Sequence, residues 1–182
     1  MIALCGTLRS GKDSIAVYLS SKYGYTRFAF GDELKEDFHR RYPEIPHNPK
    51  PRIGYQGHGQ LMRKLLGEDI WVNKLFDRIA AMEAWEQRKR RIVVSDLRQP
   101  NEYDALKSAG YVIIRVTAPE GVRINRAVES GDRFNYADLR HDTESHVASF
   151  DVDYEIDNSG SLTDLYTQVD DIMAELHRKG GV

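Results

Sequence analysis

Residues 1–14 read MIALCGTLRSGKDS, and the reading of Gly6–Ser14 within them decides the fold. GTLRSGKDS follows the phosphate-binding pattern G-x-x-x-x-G-K-[ST] up to its last position, where Asp13 replaces the hydroxyl. The pattern carries weight only between a strand and a helix. Both flanks are present: MIALC is a short apolar strand, and DSIAVYLSSKY places Ile15, Ala16, Leu19 and Tyr23 at helical spacing. Gly6 and Gly11 let successive amides turn inward, Lys12 adds a positive charge, and the helix starting there adds its positive dipole end. Ser14 keeps a hydroxyl one place later. Asp13 can meet magnesium through water or act as a negative cap on the first helical turn.

Outward from this loop, strands alternate with helices. YTRFAF reads as a strand, and Asp32 after Gly31 as the cap of ELKEDFHRRY. PEIPHNPKP holds four of the six prolines and breaks the chain into a loop. Two helices are predicted from Gly59 to about Gln87; core is the plain reading of both Trp71 and Trp85 and the preferred one for Trp85. RIVVSD, YVIIRVTA and DVDYEI read as further strands. NEYDALKSAG, EGVRINRAVESG and SLTDLYTQVDDIMAELHRK read as helices, the last capped by Ser161 and the first closed by Gly110, with Asn101 and Glu102 capping it behind Pro100. Strands without polar alternation imply a parallel sheet covered on both faces, with ligands at the strands' carboxyl ends.

Composition bounds the function. In 182 residues, 26 basic and 28 acidic side chains give a net charge of -2, which offers no global field for nucleic acid or membrane. Cys5 is the lone cysteine, so no internal disulfide forms. No signal peptide or membrane span is legible, and a cytoplasmic location is expected. One domain is expected over 1–182.

Asp96 and Arg98 follow the buried strand RIVVS, where a second acid can bind magnesium through water or orient an acceptor. Lys35, Arg52 and Arg63 lie between the second and third strands, and Arg123, Arg126, Arg133 and Arg140 lie after YVIIRVTA. Mobile positive charge of this kind offsets repulsion between two anions during phosphoryl transfer. Arg88–Arg91, RKRR, reads as a cationic helix C-terminus. His141, Asp142, Glu144 and His146 match no metal spacing. A guanine-specific switch needs N-K-x-D, and the chain offers NKLF at 73–76, so that class is excluded.

With these residues in view, the chain resembles the phage-type deoxynucleoside monophosphate kinases, within the wider P-loop nucleoside and nucleotide kinase superfamily. GTLRSGKDS is similar to that family's G-x-x-x-S-G-K-D-[ST] loop, FGDELKEDF to its second segment, and RIGYQGHGQLMRKLLGEDIWV to its R-x-x-x-Q-x-x-G-x-x-x-R pattern followed by tryptophan. VVSDLRQPNE resembles D-V-R-x-P-N-E, and DVDYEIDNSGSLTDLY the closing I-x-N-x-G-[ST]-L. Gln60 and Gln99 depart from the pattern.

The resemblance implies a three-layer α/β/α P-loop kinase with about five parallel strands, an acceptor-binding insertion at about 31–88 and a lid at about 119–146. It implies ATP with magnesium as cofactors and phosphoryl transfer to a small phosphorylated acceptor, a (deoxy)nucleoside monophosphate. Arg9, Ser10, Gly11, Lys12, Asp13 and Ser14 would surround the phosphates, and Asn158 and Gly160 would lie near the adenine. Lys35, Arg52, Gln56, Arg63, Trp71, Arg98 and Arg133 would serve the acceptor. Lys12, Asp96, Arg123 and Arg126 would carry catalysis, with Asp13 and Asp96 near the metal. Animal-type phosphomevalonate kinases and, more distantly, dephospho-coenzyme A kinases share this layout and leave the acceptor open.

Overall fold

The structure, a computed structural model, describes residues 1–130 and 146–180. In chain order the elements are β1 (Ile2–Cys5), α1 (Lys12–Tyr23), β2 (Thr26–Phe28), α2 (Phe30–Arg41), α3 (Arg52–Leu66), α4 (Ile70–Glu86), β3 (Ile92–Leu97) and α5 (Pro100–Ser108). Then follow β4 (Val112–Thr117), α6 (Glu120–Glu129), a 3-10 turn (His146–Ser149), β5 (Tyr154–Asp157) and α7 (Leu162–Arg178). The chain divides into two compact units, Met1–Arg27 with Arg91–Val182, and Phe28–Arg90. No helix among the described residues is long and apolar enough to cross a membrane.

The fold is a three-layer α/β/α arrangement on a five-stranded parallel sheet of order β2-β3-β1-β4-β5. Every residue of β1 is buried, as a central parallel strand covered on both faces requires. Ile2 and Leu4 on β1, Val93 on β3, Ile114 and Val116 on β4 and Ile156 on β5 share a core with Ile15, Ala16 and Leu19 of α1. Leu165, Val169, Ile172, Met173 and Leu176 of α7 complete it at helical spacing. Burying each such side chain contributes about 1.5–3 kcal/mol. Asp170 pins α7 to α1 by accepting from Tyr18 Oη (2.9 Å), Tyr23 Oη (2.7 Å) and Lys22 Nζ (2.7 Å).

Cys5 is fully buried in β1, and that burial pushes its thiol up to about 11 despite the nearby Arg115 and Lys12 charges. A thiol reagent at pH 7.5 is therefore expected to label the folded chain only at the rate of unfolding. Rapid labelling in buffer alone would contradict the burial.

Several boundaries differ from the sequence expectation. β5 begins at Tyr154, because Asp153 folds its carboxylate back onto the edge of β4 and α5, accepting from Ile113 N (2.7 Å) and Lys107 Nζ (3.0 Å). In the second unit, α2 starts at Phe30 with Ala29 as its cap, so Asp32 sits inside the first turn. α3 starts at Arg52 rather than Gly59. Three glycines depress helix propensity there, and packing overrides it. A Cβ on Gly54 would lie 2.8 Å from the Phe38 ring and one on Gly59 2.7 Å from Leu34, so these positions let α2 and α3 approach.

Trp85 is 88% exposed, which corrects its reading as core. The packed stripe of α4 is Trp71, Val72, Leu75 and Ile79, and Trp85 lies on the turns beyond it. Arg88, Lys89 and Arg90 pair back onto Glu83 and Glu86 of the same helix.

Candidate active site

In the first unit the loop between β1 and α1 is shaped by its neighbours. Gly6 has φ 147° and its missing Cβ would fall 2.2 Å from the Val116 carbonyl, so β1 and β4 close together where the loop departs. Ser10 N donates to Thr7 O (3.2 Å) and makes a tight turn. Arg9, between them, holds φ 61°, a left-handed conformation that costs a non-glycine residue about 1 kcal/mol or more. Gly11 has φ 110° and serves as the cap position of α1, which no side chain caps. The start of α1 therefore keeps the partial positive charge that attracts anions.

Lys12 opens α1 and is buried. Its ammonium donates to Gly6 O (2.7 Å) and Thr7 O (2.8 Å), so the charge stands inside the loop. Asp13 is exposed in the first turn, where its charge complements the positive end of the helix dipole, while Ser14 is half-buried beside it.

Residues distant in sequence close on the same loop. Arg123 of α6 is buried and donates from Nη1 to Leu8 O (3.3 Å). Arg126, one helical turn on, donates from Nη2 to Asn158 O (3.1 Å) and Oδ1 (3.2 Å). Asn158 follows β5 and donates from Nδ2 to Ser10 O (2.7 Å). Gly160 lies in the turn before α7, where Ser161 and Asp164 form a capping box. Arg133 lies outside the described residues, as do Arg140 and most of the expected lid.

Asp96 lies within β3 rather than just past it. Between the pairs Ala3↔Val94 and Cys5↔Leu97 the β3 strand has one residue more than β1, so Ser95 and Asp96 occupy an irregularity in the ladder. Such irregularities re-aim side chains next to sites, and periodicity alone does not reveal them. Ser95 is buried, and its Oγ has no hydrogen-bond partner among the described residues. Arg98 follows the strand, its backbone N and that of Gln99 bonded to the Glu102 carboxylate at 3.0 Å each. Glu102 thus caps α5 as expected, whereas Asn101 is helical.

The second unit carries the other candidates. Arg52, Gln56 and Arg63 share one side of α3 by their spacing, and Lys35 of α2 pairs with Asp32 (2.8 Å). Trp71 is buried, its indole NH 3.4 Å from Gly59 O, so it packs the unit rather than presenting a face to solvent. A knot unread from the sequence ties the three helices together. The buried Asp37 carboxylate meets His58 Nε2 (2.9 Å), Arg41 Nε (2.9 Å), Lys74 (3.4 Å) and Arg40. Burial alone would raise its pKa, but the bonds from Arg41 and His58 and the Lys74 charge outweigh it and hold the group well below the carboxylate range.

Among the described residues no three His, Cys, Asp or Glu side chains gather as a metal cage. Asp13 and Asp96 are hard oxygen donors of the kind that can hold magnesium through water.

The family described as AAA domain matches residues 2–144. The chain belongs to this AAA domain family. Its fold recurs in solved structures that align over nearly the whole length. TT1252 from Thermus thermophilus superposes with a TM-score of 0.57 at 20% identity, over 96% of each chain. A gluconokinase from Sinorhizobium meliloti 1021 gives 0.56 at 17% identity, over 98% of this chain and 93% of that one. Shikimate kinase from Aquifex aeolicus vf5 gives 0.53 at 14% identity, over 100% and 99%. At these identities the likeness is one of fold, the three-layer α/β/α arrangement that these kinases share with the chain. No curated protein matches the sequence.

Proposed function

We propose that this AAA domain chain is an ATP-dependent kinase that transfers a phosphoryl group to a small phosphorylated acceptor, a (deoxy)nucleoside monophosphate. The observation that carries the reading is the loop itself: Lys12 inside it, the uncapped start of α1 below it, and Arg123 bonded to its backbone. That amount of fixed positive charge suits a polyphosphate, and kinase names among structures of the same fold support it. The acceptor class rests on the sequence resemblance and on Lys35, Arg52, Gln56 and Arg63.

In this reading ATP would supply the group transferred, and magnesium, held near Asp13 and Asp96, would offset negative charge on its phosphates. Lys12 turns from the Gly6 and Thr7 carbonyls onto the phosphates, and Ser10, Gly11 and Ser14 offer backbone and hydroxyl donors. Arg9, Arg123 and Arg126 offset charge at the loop, and Asp96 would orient the acceptor or help to hold the metal through water. Catalysis comes from positioning and electrostatics.

An ATP-coupled assay with magnesium across the nucleoside monophosphates, with phosphomevalonate and dephospho-coenzyme A alongside, tests both levels. A diphosphate product from at least one nucleoside monophosphate is expected. Turnover only with another acceptor would overturn the acceptor class, and no turnover with any would overturn the kinase.

Asp13→Asn separates the metal role from a helix role. Because Asp13 is exposed and its only helix role is the charge it adds to the first turn, stability is expected to change by no more than about 0.5 kcal/mol. The magnesium concentration for half-maximal turnover is expected to rise. An unchanged magnesium dependence would remove Asp13 from the metal's surroundings.

A further inference from the structure

Asn158 stands where three segments of the first unit meet. Its backbone N donates to Thr117 O (2.8 Å), which fixes the end of β5 against the end of β4. Its Nδ2 donates to Ser10 O (2.7 Å), and its Oδ1 and main-chain O both accept from Arg126 Nη2. Asn158 is 3% exposed, and its bond to Ser10 O forms away from water. Space around it is fully used as well, since a Cβ on Gly11 would fall 2.1 Å from Nδ2.

The geometry points to Asn158 as a positioning residue that couples the phosphate loop to the Arg126 guanidinium. A trans peptide carries its C=O and N–H on opposite sides, so holding Ser10 O toward Asn158 turns the Gly11 N–H the other way. One amide thus sets the direction of a loop donor and, through its oxygen, the place of a cation. The Arg126 Nη1 atom is buried and has no partner among the described residues, so a charged donor is left over. An oxyanion reaching Arg126 would satisfy Nη1, and strain on the guanidinium would pass through Oδ1 and Nδ2 to the Ser10–Gly11 peptide. This role differs from a contact to the adenine, because both ends of the Asn158 amide are already engaged by protein.

The inference rests on the proposed ATP site, and its test keeps the two apart. Binding of ATP with magnesium is measured by titration calorimetry for the wild type, Asn158→Ala, Arg126→Ala and the double variant, with apo melting temperatures alongside. Asn158→Ala is expected to weaken ATP about tenfold, and the same change on the Arg126→Ala background only about threefold, because part of the coupling is already lost. Asn158→Asp keeps size and the acceptor toward Arg126 but loses the donor to Ser10 O. It is also expected to weaken ATP, and it serves where the alanine variant fails to fold.

Independent effects of the two substitutions would overturn the coupling. So would Asn158 variants that lower the melting temperature yet bind ATP like the wild type. A wild-type chain that binds no ATP would instead overturn the nucleotide reading, and the inference with it.

Discussion

Lys12→Ala is expected to lower kcat/KM for phosphoryl transfer by about 10²–10³ or more, the loss seen when one fixed charge is removed from a developing anion. The ammonium is the charge most firmly held in the loop, buried and bonded to Gly6 O and Thr7 O. In the proposed function a polyphosphate would exchange those carbonyls for phosphate oxygens, so the cation already stands in position. The same bonds imply a cost in the free chain. Removing them is expected to lower apo stability by about 1–2 kcal/mol, since each net hydrogen bond contributes about 1 kcal/mol. Lys12→Met, which keeps the apolar stem, should recover part of that stability and none of the turnover. Steady-state kinetics and thermal melts of both variants separate the two effects. Turnover near wild type in either variant would mean the loop does not hold the transferring group.

The sequence made the sheet and the loop legible because both are local patterns. MIALC, VVSD and VIIRVT are short apolar runs, and GTLRSGKDS sits between the first of them and a helix, so neither needed tertiary information. The order β2-β3-β1-β4-β5 places that loop after the central strand, where β3 and β4 flank β1, the usual position of a ligand crevice in open parallel sheets. What stayed hidden depends on partners remote in sequence. The helical start of α3 at Arg52 follows from Gly54 and Gly59 meeting Phe38 and Leu34. Asp37 is one acid among 28 acidic residues until α3 and α4 bring His58 and Lys74 to it. The extra β3 residue beside Leu4, which displaces Asp96 from simple alternation, has no compositional mark. Trp85 failed for the opposite reason: its spacing fits the stripe, but the stripe outlasts the layers that cover it.

Gly6→Ala carries the largest expected effect on folding. The added Cβ would stand 2.2 Å from Val116 O and 2.9 Å from Ser10 Oγ, both well inside van der Waals contact. The hydroxyl can rotate away. The carbonyl cannot, because β4 is fixed to β1 through Ile114 opposite Leu4 and Arg115 opposite Cys5, and Thr117 O is held by Asn158 N. The backbone at φ 147° adds strain for any side chain. Overpacking of this kind costs about 3 kcal/mol or more, which corresponds to a fall of about 6–12 °C in Tm for a chain of this size. Gly24→Ala supplies the contrast. It also has a positive φ, 70°, but nothing lies within 4 Å of its Cβ, so only the backbone cost of about 1 kcal/mol applies. If Gly6→Ala melts no lower than Gly24→Ala, the contact with Val116 yields, and the close approach of β1 and β4 is not what demands glycine there. The expected order also decides how the loop's first glycine acts. A loss confined to nucleotide affinity would place Gly6 in phosphate recognition, whereas a loss of stability in the free chain assigns it to the junction of strands from which the loop is hung.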